Sequence, residues 1–155
     1  LADVTGRRAA PAGGSGGRAE PESLKGLGLR VLVVEDNTVN QKLAVRMLER
    51  LGVDADVAAC GHDAIESVVR QRYDIVFMDV QMPDMDGYEA TAVIRRREAT
   101  SGTRVPIVAM TAHALEGDRE RCLEAGMDDY MSKPIRPDGL RAALVRWGGP
   151  VEEVA

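Results

Sequence analysis

Tyr73-Asp74-Ile75-Val76-Phe77-Met78-Asp79, continuing Val80-Gln81-Met82-Pro83-Asp84-Met85-Asp86-Gly87, is the stretch whose reading decides the fold. The apolar run Ile75 to Met78 is too short for an independent helix. It is bounded by polar and turn residues and ends abruptly on a carboxylate. That pattern reads as a strand buried on both faces. Asp79 then stands at the strand's carboxyl end, the edge at which open α/β sheets bind ligands.

Working outward, Arg30-Val31-Leu32-Val33-Val34 is a second short, β-branched run that also ends on carboxylates, Glu35 and Asp36. Asn37 or Thr38 can cap the helix that follows. Leu43, Val45, Met47, Leu48 and Leu51 recur at helical spacing, and Gly52 stops the helix. Val53 to Ala58 is a weaker strand, and Gly61 to Arg72 a helix with Ala64, Ile65, Val68 and Val69 facing in. Beyond Asp79, the Pro83/Gly87 loop leads into a helix from about Tyr88 to Glu98. Val105-Pro106-Ile107-Val108-Ala109-Met110 is a fourth strand ending at Thr111, with Pro106 near its start because proline breaks a ladder interior. Ala112 to Ala125 is helical and is closed by Gly126. Asp129-Tyr130-Met131 is a brief fifth strand before Ser132-Lys133-Pro134. Pro137 to Trp147 is a last helix with proline in its first turn.

Strand–helix alternation repeated five times with short connections predicts a single-domain α/β fold. Its expected core is a five-stranded parallel sheet with helices on both faces. Residues 1–28, with Gly13-Gly14-Ser15-Gly16-Gly17, read as a flexible linker, 29–148 as the domain and 149–155 as a tail. The chain begins at Leu1 rather than Met, as expected of a piece of a longer or processed protein.

Composition narrows the function. The 155 residues are 45% hydrophobic and 29% charged, ordinary for a soluble domain. A net charge of −5 gives no electrostatic case for nucleic-acid binding. No apolar run is long enough to span a bilayer, so no direct membrane contact is expected. Cys60 and Cys122 are isolated, lack metal spacing and read as reduced thiols. Arginine far outnumbers lysine; the only lysines are Lys25, Lys42 and Lys133.

If the strands are parallel, Glu35/Asp36, Asp79, Thr111 and Lys133 share one edge of the sheet. Three carboxylates without histidine or thiolate suit a hard divalent cation such as Mg²⁺. A carboxylate beside that cation can act as a nucleophile toward a phosphoryl group. A lysine and a hydroxyl would compensate the transferring oxygens. Singly, each residue is more simply a cap, a turn or a surface group; together, at four strand ends, they form a site.

Val31-Leu32-Val33-Val34-Glu35-Asp36-Asn37, Met78-Asp79-Val80-Gln81-Met82-Pro83-Asp84-Met85-Asp86-Gly87, Ala109-Met110-Thr111-Ala112 and Lys133-Pro134 resemble the receiver (response-regulator) domain of two-component signalling. The resemblance runs from about Leu29 to Trp147. The segment Met110 to Pro134 most resembles receivers attached to hybrid sensor histidine kinases. The resemblance implies a flavodoxin-like, CheY-like fold with Asp79 as phosphoacceptor. It implies Asp36 as a direct Mg²⁺ ligand, Glu35 acting through water, and the Gln81 backbone carbonyl completing the set with Asp79. Lys133 is implied to contact the phosphoryl group, Thr111 to be the switch hydroxyl, and Tyr130 the aromatic that turns inward with it. Gln81 and His113 occupy positions that tune dephosphorylation, and Pro134 follows a peptide that is often cis in the family.

The implied function is a phosphoacceptor in a phosphorelay. The phosphoryl group would come from phosphohistidine on a histidine kinase domain or a histidine phosphotransfer protein. The isolated domain would catalyse only its own phosphorylation and dephosphorylation. The parent chain is expected to be a hybrid sensor histidine kinase, and the location cytoplasmic, including the cytoplasmic part of a membrane-bound kinase. Because the chain ends shortly after the fifth helix, a relay is expected over a transcription factor. Met47, Leu51 and their neighbours on the first helix are candidates for docking a partner's helical bundle, with core packing the competing reading.

Three rivals are weaker. A flavin-binding module of the same topology would meet an acidic loop at Glu35-Asp36-Asn37. An aspartate-nucleophile phosphatase would need a second acid where Gln81 stands. A degenerate receiver used as a scaffold predicts loss of Asp36, Asp79 or Lys133, and all three are present.

Overall fold

Val31, Leu32, Val33 and Val34 are all fully or almost fully buried, as are Ile75, Val76, Phe77 and Met78. A strand whose two faces are both buried needs a covering layer on each side, and both layers are present. The computed structural model describes residues 24, 28–112 and 116–148. Its elements are β1 (Val31–Val34), α1 (Thr38–Arg50), β2 (Ala55–Ala58), α2 (Gly61–Arg70), β3 (Ile75–Asp79), α3 (Gly87–Ser101), β4 (Ile107–Thr111), α4 (Glu116–Ala125), β5 (Asp129–Ser132) and α5 (Pro137–Ala143). A π-helical turn, Leu144–Gly148, extends α5.

The five strands lie in the order β2-β1-β3-β4-β5, every pair parallel. This is the doubly wound arrangement, whose chain reverses direction across the sheet between β1 and β3. Side chains of successive strand residues go to opposite faces. Val31, Val33, Ile75, Phe77, Val108 and Met110 pack with Ala44 and Leu48 of α1 and Leu140 and Ala143 of α5. Leu32, Val34, Val76, Met78, Ile107 and Ala109 pack with Ala64 and Ile65 of α2, Ala90 and Ile94 of α3, and Cys122 of α4. Each fully buried large apolar side chain contributes roughly 1.5–3 kcal/mol.

Local signals explain the element ends. Asn37 caps α1 by accepting from the Asn40 N–H at 3.0 Å. At the other end Gly52 takes φ +87°, its N–H donates to the Glu49 carbonyl at 2.9 Å, and the Val53 N–H donates to the Leu48 carbonyl at 2.9 Å. These two bonds define a Schellman motif, so Gly52 stops the helix as its position suggested. Asp86 and Glu89 close α3 in a reciprocal capping box, which starts that helix at Gly87 rather than Tyr88. Pro106 lies just before β4, where its carbonyl accepts from the Val76 N–H at 2.9 Å.

Two sequence expectations about burial do not hold. Val69 is 60% exposed. Gly61, Ala64, Ile65 and Val68 form the inward stripe of α2, and at 100° per residue Val69 lies about 90° from its centre. By the same arithmetic Leu43 lies about 100° from the Ala44–Leu48–Leu51 stripe of α1, and it is 44% exposed. Leu24, within the stretch read as a linker, is buried and its N–H donates to the Leu51 carbonyl at 2.7 Å. The rest of that stretch, except 28, and the tail 149–155 lie outside the described residues. Both cysteines are free thiols. No helix among the described residues is long and apolar enough to cross a membrane.

At the amino-terminal edge of the sheet, Arg95 ties α3 to the segments that lead into β4 and β5. It donates to the carbonyls of Gly126 (2.8 Å) and Val105 (2.8 Å) and pairs with Glu98 (2.6 Å) and Asp128 (2.9 Å). Asp128 in turn accepts from the Ile107 N–H at 2.8 Å, and Glu98 from the Val105 N–H at 2.7 Å. Removing the guanidinium would leave the mostly buried Glu98 carboxylate without a cation and Asp128 with only the exposed Arg104, at 2.7 Å. Arg95→Met is therefore expected to lower stability by about 2–3 kcal/mol, read as a lower urea midpoint at unchanged slope.

Candidate functional site

The ladder register sets the site. Val34 pairs with Met78, Asp79 with Met110, and Thr111 with Ser132. Glu35, one residue beyond β1, is therefore level with Asp79. Thr111 lies one residue beyond Asp79's partner, and Lys133 one residue beyond Thr111's. The backbone continues to pair past the strand ends: Glu35 N–H donates to Ala58, Val80 N–H to Met110, and Lys133 N–H to Thr111, at 3.0, 3.1 and 2.8 Å. The Lys133–Pro134 peptide is cis.

Glu35, Asp79 and Thr111 are buried at 1–2% exposure, polar groups where the strands are otherwise apolar. Lys133 Nζ lies 3.1 Å from Glu35 Oε1 and 3.2 Å from Asp79 Oδ1. Asp79 Oδ1 also accepts the Gln81 N–H at 3.1 Å. Glu35 Oε2 accepts the Asn37 N–H at 3.2 Å, and the Glu35 carbonyl accepts from Gln41 Nε2 at 2.6 Å. Asp36 is exposed beside them.

One ammonium serves two buried acids, and the titration of the three groups reflects that shortage. Burial pushes Glu35 up, but the Lys133 ammonium beside it outweighs that and holds Glu35 below its usual range. Burial pulls Lys133 down, but Glu35 and Asp79 hold it above its usual range. Asp79 is left with the deficit: burial, then the charge of Glu35, outweigh the Gln81 N–H and Lys133 and raise it from 3.8 to about 6.

The donor set fits a hard divalent cation. Glu35, Asp36 and Asp79 each offer a carboxylate oxygen, and those oxygens lie within 4.8 Å of one another. Glu35 Oε1 is buried and, although close to Lys133, accepts no hydrogen bond of good geometry. An all-oxygen, acid-rich cluster with a lone pair left over is the chemistry that Mg²⁺ selects.

The β3–α3 loop brings its backbone unusually close. A Cβ on Gly87 would stand 2.4 Å from the Asp79 carbonyl oxygen and 2.8 Å from Val80 Cα, so only glycine fits there. Asp84 takes φ +69° beside a Met85 N–H to Pro83 carbonyl bond of 2.7 Å, a tight γ-turn.

The response regulator receiver domain family matches residues 31–145. The chain belongs to that family. The receiver is 44% identical over 130 residues to hybrid signal transduction histidine kinase I of Dictyostelium discoideum, a match that covers 81% of this chain and 8% of that protein. It is 50% identical to the receiver domain of the sensor histidine kinase PA1611 of Pseudomonas aeruginosa, solved with a magnesium ion in its active-site cleft. That structure has a TM-score of 0.70 and aligns over 77% of this chain and 97% of its own. It is 31% identical to the receiver domain of Ssk1 of Saccharomyces cerevisiae, solved with the histidine phosphotransfer protein Ypd1. There the TM-score is 0.74, with 77% and 88% of the two chains covered.

Of the expected site residues, Glu35, Asp36, Asp79 and Lys133 come together as read. The Gln81 peptide borders Asp79. Thr111 lies one register step along the same edge, and Tyr130 is half-buried against the α2–α3–α4 face. His113 lies outside the described residues. Two polar neighbours escaped the sequence reading. Gln41, whose amide holds the Glu35 carbonyl, carries no signal beyond lying on α1. Asp118 accepts from Thr111 Oγ1 at 3.3 Å. A signal for it existed, since the first turn of α4 must lie near the end of β4.

A carboxyl raised on folding binds protons more readily folded than unfolded. Its effect on stability is therefore absent below about pH 4, and destabilisation grows as pH rises through about 6. Asp79→Asn removes that effect. With divalent cations chelated, the variant is expected to exceed the wild type in stability at pH 7, by at most about 3 kcal/mol. The difference should vanish near pH 4, as read by urea unfolding at several pH values.

Proposed function

We propose that Asp79 accepts a phosphoryl group from a phosphohistidine donor, with Mg²⁺ bound by Asp36, Asp79, the Gln81 carbonyl and, through water, Glu35. The observation that carries this reading is the buried Asp79 carboxylate, level with Glu35 and 3.2 Å from Lys133 at the carboxyl edge of the sheet. Bound Mg²⁺ would neutralise the acids and polarise the phosphoryl oxygens.

This chain's own residues do the rest. The Gln81 N–H and Lys133 fix one oxygen of Asp79, which orients the carboxylate for in-line attack on phosphorus. The P–N bond to the donor imidazole breaks as the O–P bond forms, and the imidazole leaves with the electron pair. Lys133 is placed to turn its ammonium from Asp79 to a phosphoryl oxygen, and Thr111 to donate its hydroxyl to another. Inward movement of Thr111 would make room for Tyr130, the local change that a phosphorylation switch reads out. Gln81 and His113 are proposed to tune attack by water.

The donor's docking surface is proposed on α1, but not at the residues first considered. Leu51 is 4% exposed and Met47 packs against the core. Val39 (69% exposed) and Leu43 (44%) lie one turn apart on the flank of α1, a helix that begins two positions after the acidic pair. An exposed apolar pair at i, i+4 suits a helix of a histidine phosphotransfer protein, the kind of partner seen with Ssk1. The parent protein is proposed to be a hybrid histidine kinase and the site cytoplasmic.

Intact-mass spectrometry after incubation with Mg²⁺ and acetyl phosphate is expected to show one added phosphoryl group on the wild type and none on Asp79→Asn or in chelator. An unmodified wild type, with acetyl phosphate and with a phosphorylated histidine protein alike, would overturn the reading. Leu43→Glu is expected to slow transfer from a protein donor about tenfold relative to labelling by acetyl phosphate. Equal slowing with both donors would place the docking surface elsewhere.

A further inference from the structure

We propose that Asp118 is a positioning residue that holds the Thr111 hydroxyl away from the phosphoryl site, so that this bond must break before Thr111 can serve a phosphorylated Asp79. The inference rests on the phosphoacceptor reading of Asp79 and adds a residue to it.

Three observations carry it. Thr111 Oγ1 donates to Asp118 Oδ2 at 3.3 Å. A hydroxyl has one proton to give, and a carboxylate can only accept it. While that proton is donated to Asp118, Thr111 cannot donate it to a phosphoryl oxygen, so the two states exclude each other by stoichiometry. Thr111 is 2% exposed, so bulk water does not readily compete for the hydroxyl. Asp118 also lines, with Thr111, Gln81 and Arg121, an open cavity of about 520 Å³ beside the site. Arg121, three residues along α4 and stacked over Tyr88 at 4.6 Å, gives the Asp118 carboxylate a nearby cation once Thr111 has left.

The length of the bond sets the size of the effect. At 3.3 Å it is long for a hydroxyl–carboxylate bond, which favours 2.5–3.0 Å. It is a weak latch, one that a phosphoryl group can displace.

The test is a titration with beryllium fluoride and Mg²⁺, the fluoride serving as a phosphoryl mimic, monitored by NMR on the full chain. Asp118→Ala is expected to raise the apparent affinity about tenfold. Asp118→Asn, which keeps an acceptor oxygen without the charge, is expected to recover part of the wild-type behaviour. In a Thr111→Val background, Asp118→Ala is expected to change affinity by less than about twofold. In the unliganded protein, Asp118→Ala should also shift the Thr111 methyl resonance. A wild type that binds the mimic with the same affinity as Asp118→Ala would overturn the latch alone. An equal gain in the Thr111→Val background would also overturn it, by reducing Asp118 to a source of repulsion. A wild type that takes up neither the mimic nor a phosphoryl group would overturn the phosphoacceptor reading and the latch with it.

Discussion

Two carboxylates and one ammonium are buried together at the carboxyl edge of the sheet, and the site follows from how that unequal set is shared. Lys133 reaches Glu35 and Asp79 at almost equal distances, 3.1 and 3.2 Å. Each acid also accepts one backbone N–H, but Lys133 outweighs burial only at Glu35, which is held below its usual range, whereas Asp79 is raised to about 6. A fold that needed only internal charge balance would have paired one acid with one base. The surplus negative charge is tolerable where a cation and a phosphoryl group arrive together, because the first offsets the charge that the second brings. Lysine suits the central position better than the far commoner arginine. A compact ammonium with three rotatable donors can serve two acids and then turn to a third oxygen, whereas a planar fork is committed to one.

The topology makes that sharing possible. Strands lie about 4.8 Å apart, so β5 is roughly 10 Å from β3 with β4 between them, and only a long, extended side chain crosses that span. The parallel register puts Glu35, Asp79, Thr111 and Lys133 at successive steps along one edge. Rigidity comes from both ends of the sheet. At the site edge the loop backbone at Gly87 presses on the Asp79 carbonyl, a contact that no side chain allows. At the opposite edge the Arg95 cluster fixes where β4 and β5 begin, and hence where Thr111 and Lys133 end up.

Most of this was legible in the sequence because its signals are local. Ile75 to Met78 could only be a doubly buried strand, and five such alternations force the parallel sheet. Residues at the strand ends then converge without any knowledge of side-chain packing. What was not legible depends on angle rather than order. Val69 and Leu43 are apolar and fall near helical spacing, yet each sits about 90–100° from the centre of its stripe and is exposed. Leu51, read as a candidate docking residue, turned out to be core. The Asp86–Glu89 capping box moved the start of α3 by one residue. Arg95, Gln41 and Asp118 gave no motif, because each acts on a partner chosen by tertiary packing. Asp118 came nearest to being readable, since it follows Thr111 by seven residues across one connection.

A switch needs two arrangements of similar free energy, and the Thr111 hydroxyl is well placed to choose between them. A strong bond to Asp118 would lock the resting arrangement and require the phosphoryl group to supply a large differential affinity. With no bond at all, a buried hydroxyl would lack that acceptor and the resting arrangement would be poorly defined. A bond at 3.3 Å lies between these extremes. It keeps the hydroxyl satisfied at rest and would, on the proposed switch, give way to an acceptor that carries more charge. The half-buried Tyr130, beside Thr111's strand on β5, would then respond to a vacated space rather than to a direct contact with phosphorus. In the proposed switch the energy that moves the surface would come from exchanging one acceptor for another at a single proton, which would let a change confined to Asp79 be felt at α4 and β5.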